Sequence, residues 1–110
     1  MTSFERMIRN SAVILTEGAL AERLKREFNL AMDPAINHAG VIYEAPEILE
    51  TLYCQYIEIG LRFRLPILLM TPTRRVNSET LPLSRWPDRP VIGDTCRFLN
   101  RIRERYDPEE

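Results

Sequence analysis

Cysteine, histidine and tryptophan are scarce in this chain, at two, one and one among 110 residues. Cys54 and Cys96 each stand alone, with no Cys-x-x-Cys pair and no Cys/His cluster. A zinc site needs three or four converging ligands, so a self-contained one is excluded. No apolar run approaches the ~18 residues of a membrane span, and no apolar leader follows Met1-Thr2-Ser3-Phe4-Glu5. Those absences predict a soluble, cytoplasmic protein with reduced thiols. Charge of one sign is also missing. The net charge is −1 and the pI near 5.9, so neither a nucleic acid nor a membrane surface is an expected partner. Arg62, Arg64, Arg74, Arg75, Arg101, Arg103 and Arg105 alternate with apolar or acidic residues, as on a solvated face. There is no internal repeat and no low-complexity segment.

What is present is an ordinary globular composition, 45% hydrophobic and 28% charged, in a length that fits one domain over residues 1–110. Two short apolar runs end abruptly in small and polar residues: Ile14-Leu15-Thr16-Glu17-Gly18-Ala19 and Leu68-Leu69-Met70-Thr71-Pro72-Thr73. An unbroken apolar run reads as a strand buried on both faces, the pattern of a parallel sheet under helices. In such sheets ligands bind just beyond the carboxyl ends of the strands. That rule selects Glu17, Gly18, Thr71 and Thr73 as candidate binding residues.

The first strand is expected at Ala12–Thr16, followed by a helix at Ala19–Phe28 whose Leu20, Leu24 and Phe28 form one stripe. Asn29–Glu44 reads as a long loop with Pro34 and Gly40. Pro46 opens a second helix, with Leu49, Leu52, Tyr53, Tyr56, Ile57 and Gly60 on one face. The second strand is expected at Ile67–Met70, with Thr71-Pro72-Thr73 closing it. Asn77–Pro90 reads as a loop. Asp94 is the expected N-cap of a last helix reaching Tyr106, and Asp107–Glu110 is expected to fray. Strands alternating with helices predict parallel α/β units. His38 has no partner carboxylate at a telling spacing and reads as a loop histidine. Trp86, between Arg85 and Pro87, either packs the long loop or covers a domain end or a partner.

Four segments taken in order resemble the opening of the homocysteine S-methyltransferases. They are Ile14-Leu15-Thr16-Glu17-Gly18-Ala19, Glu44-Ala45-Pro46-Glu47-Ile48-Leu49, Tyr56-Ile57-Glu58-Ile59-Gly60 and Thr71-Pro72-Thr73-Arg74. The resemblance covers residues 12–77 well and 90–106 weakly. It implies a partial (β/α)8 TIM barrel comprising the first two βα units, since a closed barrel takes about 250 residues. It implies methyl transfer to the homocysteine thiol, giving methionine, with the isolated chain inactive. Glu17 matches the family's substrate-facing Asp and would meet the substrate amine. Thr71 and Thr73 match a Thr-x-Thr at the second strand end. Zinc is expected only in a complete family member, held by three cysteines on later strands, and no cofactor is expected in this chain. Homocysteine is the expected ligand once the barrel is completed, and self-association or a complementary barrel fragment the expected association. The alternative is a small non-enzymatic α/β interaction module that pairs through open sheet edges.

Overall fold

The computed structural model describes residues 2–106, so the expectation for Asp107–Glu110 lies outside the described residues. Helix α1 (Ser3–Asn10) begins at a reciprocal cap. The Thr2 hydroxyl accepts the Glu5 N–H at 3.1 Å, and the Glu5 carboxylate accepts the Thr2 N–H at 2.9 Å. Strand β1 is only Leu15–Thr16. Helix α2 (Leu20–Phe28) buries Leu20 and Leu24 and ends at Asn29 in the left-handed conformation. The expected loop from Asn29 to Glu44 is largely structured. It holds a short bridge between Asp33 and Asn37, a 3-10 turn at His38–Gly40 and helix α3 (Val41–Glu44). Helix α4 (Pro46–Phe63) starts at Pro46 as the sequence predicts, since a first-turn proline has no N–H to lose. Strand β2 is Ile67–Leu68, and helix α5 (Val91–Tyr106) closes the order.

β1 and β2 pair in parallel, Leu15 with Ile67 and Thr16 with Leu68, and form a sheet of two strands. The α2–α4 segment is the crossover between them. Gly60 sits where α4 passes the chain entering β2. A Cβ there would lie 3.0 Å from the Leu65 carbonyl.

The expected partial TIM barrel is not what forms. Helices take 58% of the residues, and the strands are two residues each. The main core is a helix-on-helix core. Leu20 and Leu24 of α2, Leu49, Leu52 and Tyr53 of α4, and Leu99 and Ile102 of α5 bury one another. No strand residue belongs to it. Leu15 and Ile67 are half-buried, while Thr16 and Leu68 are exposed. The apolar runs were read as strands covered on both faces, but Val13 is 51% exposed and Met70 57%. The fold is therefore a small, mostly helical α/β unit.

A second, smaller core lies under the long loops: Ile36, Ala39, Val76 and Val91, roofed by Trp86 and Tyr43. The Trp86 ring lies directly over Gly40, where a Cβ would fall 2.1 Å from it, so only glycine fits. Trp86 thus packs the long loop. Asp33 fastens this layer. Its carboxylate is buried and accepts the N–H groups of Ala35 (2.8 Å), Ile36 (3.1 Å) and Arg85 (3.1 Å). Burial pushes its pKa upward, but the three N–H groups and the Arg85 guanidinium, 3.5 Å away, together outweigh burial and hold it below the usual carboxylate range. Asp94 does not cap α5, which begins at Val91. Its carboxylate takes the Tyr43 hydroxyl at 2.5 Å and Arg97 at 2.5 Å, which ties α3 to α5.

Asp33→Ala leaves three N–H groups without their acceptor and should cost about 2–4 kcal/mol of stability. Urea unfolding of the variant and the parent checks this. Asp33→Asn, which keeps an acceptor, should cost less than Asp33→Ala.

Candidate functional site

The carboxyl ends of β1 and β2 meet at one residue, Met70. The Met70 N–H lies 3.1 Å from each of the two Glu17 carboxylate oxygens. The Met70 carbonyl accepts the Tyr53 hydroxyl at 2.8 Å. Glu17 is 8% exposed and Tyr53 is fully buried, while Met70 is 57% exposed, so both bonds lie at the boundary of core and solvent. One residue beyond Met70, the Thr71 and Thr73 hydroxyls bond to each other at 2.7 Å across the buried Pro72. Next to Glu17, the Gly18 carbonyl accepts the Tyr56 hydroxyl. The Arg23 guanidinium lies 5.5 Å from the centre of the Tyr56 ring and is itself engaged by Glu27 and Gln55. Glu17 and Gly18 thus follow the first strand and Thr71 and Thr73 the second, and the two ends are joined where Glu17 meets the Met70 N–H, one residue before Thr71.

Each member has a local reason for its place. Tyr53 and Tyr56 lie three apart on α4 and project toward the sheet from consecutive turns. Ala19 takes the left-handed conformation, with φ 53°, as it turns the chain from β1 into α2. A residue with a Cβ pays roughly 1 kcal/mol there, and such strain collects at functional sites. Gly18 itself has no left-handed φ, and nothing lies within 4 Å of where its Cβ would be. That side of the junction is open. Glu17 does not serve α2 as a cap, since no side chain caps that helix. The threonine hydroxyls satisfy each other rather than nearby backbone.

The electrostatics of Glu17 are unusual. Burial pushes its pKa up to about 7, and the Met70 N–H only partly opposes this. No cationic side chain pairs with it among the described residues. Its charge, added to burial, holds the Tyr53 phenol well above the usual range. Near pH 7 Glu17 is about half ionised, and once ionised it has no cationic partner among the described residues and two oxygens served by a single N–H. What such a group takes best is a small ligand with an ammonium donor.

The remaining candidates lie elsewhere. Cys54 is half-buried on α4 and Cys96 is exposed on α5. Among the described residues no three His, Cys, Asp or Glu side chains converge. The two cysteines stand on separate helices, so they do not supply the three-thiolate zinc set expected only of a complete family member. His38 lies in the 3-10 turn with its Nδ1 buried and unpartnered, and burial, with Lys25 adding to it, keeps its pKa low. Sequence reasoning placed Tyr53 and Tyr56 only on an apolar face. The signal was that each is a tyrosine among leucines and isoleucines, because a buried hydroxyl must find an acceptor. Compared with protein-family models, with curated proteins and with solved structures, the chain has no match in any of the three.

The raised pKa gives a signed prediction. The folded state holds the Glu17 proton up to about pH 7, whereas the unfolded chain releases it near 4.5. Its contribution to stability is therefore full below about pH 4.5 and lost as pH rises to 7. The loss should reach at most about 3 kcal/mol. Glu17→Gln cannot ionise and should be free of this fall. The wild type minus Glu17→Gln difference in unfolding free energy, followed across that range, isolates it from His38, whose low pKa acts with the opposite sign.

Proposed function

We propose that the strand-end junction binds the amino-acid end of homocysteine, as the substrate-holding part of a homocysteine S-methyltransferase-like protein. The observation that carries this reading is the buried Glu17 carboxylate, unpaired with any cation and adjoining the open space at Gly18. Support also comes from the order of the four motifs, whose strand-end members the fold collects at one place. In this reading the substrate ammonium takes the free lone pairs of Glu17. The paired hydroxyls of Thr71 and Thr73 exchange their mutual bond for the substrate carboxylate. Gly18 leaves room for the substrate backbone. The thiol itself needs a group that lowers its pKa before it can attack a methyl donor. Two separated cysteines do not supply that group, so the proposal for this chain is binding, without turnover by the isolated chain. We place the protein in the cytoplasm, where its free cysteines stay reduced. The reading rests on the motifs and the junction, and no barrel is needed for it.

Titration calorimetry with L-homocysteine under reducing conditions tests it. Glu17→Gln keeps the size of the side chain and removes the charge. Losing a charge-assisted hydrogen bond of about 1.5–3 kcal/mol should raise the dissociation constant roughly tenfold to hundredfold. The affinity of the wild type should rise with pH until Glu17 is ionised, near pH 7, and then level off. A Glu17→Gln variant that binds homocysteine as tightly as the wild type would remove Glu17 from the site and leave it as a fastener of the two strands.

A further inference from the structure

An open groove runs between α1, α5 and the end of α4, and reaches the strand-end junction only at Thr71. Its floor is Leu65, Pro66, Ile67, Leu68 and Leu69, five residues in sequence. A groove over one face of a strand would meet alternate residues. Contact with five in a row means that this one follows the edge of β2. The Pro66 carbonyl faces β1, where it accepts the Leu15 N–H at 2.9 Å. Main-chain groups alternate in direction along a strand, so those of Ile67 and Leu69 face the groove. Among the described residues neither makes a main-chain hydrogen bond outside the β1 ladder. The walls are largely apolar, with Phe4 and Met7 on one side and Leu99 on the other, interrupted by Asn10, Ser11 and Asn100. Among the described residues, the charged ones lining the groove are Arg6 and Arg103.

We propose that this groove receives an extended apolar segment of a partner polypeptide, flanked by carboxylates, which adds to the free edge of β2 as a third strand. Three observations select that occupant. Unpaired N–H and C=O groups along a strand edge are satisfied by another extended backbone, and neither a helix nor an apolar small molecule offers the matching row of donors and acceptors. Apolar walls call for apolar side chains on the incoming strand. Charge of one sign at Arg6 and Arg103 calls for Glu or Asp at its ends. The same arginines disfavour a second copy of this chain, because a two-fold axis through β2 would bring the two sets of guanidinium groups together.

The probe is a synthetic ten-residue peptide with a Val/Thr/Ile core and two glutamates at each end, titrated by fluorescence anisotropy. The glutamate-flanked peptide should bind at least about tenfold more tightly than the same core flanked by lysines. The exposed variant Arg103→Glu should narrow or reverse that preference while its thermal melt stays as in the parent. N-methylation of alternate peptide bonds in the core should abolish binding, because it removes the strand hydrogen bonds. Equal affinity for both flanks, or indifference to N-methylation, would overturn the proposal. So would a dimer in sedimentation equilibrium that the peptide does not dissolve, which would assign the groove to a second copy.

Discussion

The main chain of Met70 is held at both of its polar groups, its N–H by Glu17 and its carbonyl by Tyr53. Glu17 belongs to the segment leaving β1, and Tyr53 to the helix that crosses between the strands. This one residue of β2's exit therefore ties the first strand end, the second strand end and α4 together. Two strands of two residues contribute little pairing of their own. The place where Thr71 and Thr73 stand depends on that clamp more than on the sheet ladder.

Burial explains why the clamp is charged and poorly compensated. The helical core draws α4 close, Tyr53 goes inside with it, and Glu17 is enclosed against the same surface. A carboxylate so enclosed is stabilised by its single N–H and opposed by desolvation, and desolvation is the larger effect. Asp33 shows the contrast within the same molecule. It is also buried, but three N–H groups converge on it and its pKa falls. Asp33 is a completed structural site, whereas Glu17 still has acceptor capacity and no counter-charge. That difference is the physical ground for proposing ligand binding at the Glu17 junction.

Much of the chain was legible in its sequence, for identifiable reasons. Pro46 and the apolar stripe of α4 marked that helix correctly, and Leu20 and Leu24 marked α2. Glu17, Gly18, Thr71 and Thr73 were drawn to one place by the rule that strand ends gather ligands. The barrel was not there to be read. A short apolar run is ambiguous between a strand covered on both faces and one lying at an open edge, and Val13, Leu68 and Met70 take the second course. Helix α1 was missed although Thr2 and Glu5 spell its capping box and Phe4, Met7 and Ile8 recur at helical spacing, a stripe too short to stand out and left half-exposed at Phe4 and Ile8. Asp94 looked like a cap, but Val91 starts α5 and leaves Asp94 free to bind Tyr43. The roles of Tyr53 and Tyr56 depend on contacts 17 and 38 residues distant in the chain, beyond any local pattern.

The central claim is that Glu17 is an enclosed carboxylate without a counter-ion, poised to change charge near neutrality. Its side-chain carboxyl carbon, labelled with 13C and followed by NMR through a pH titration, reports this directly. The account predicts a midpoint at about pH 7, moving downward when homocysteine is added. A midpoint at the ordinary glutamate value of 4.5, unmoved by the ligand, would contradict it.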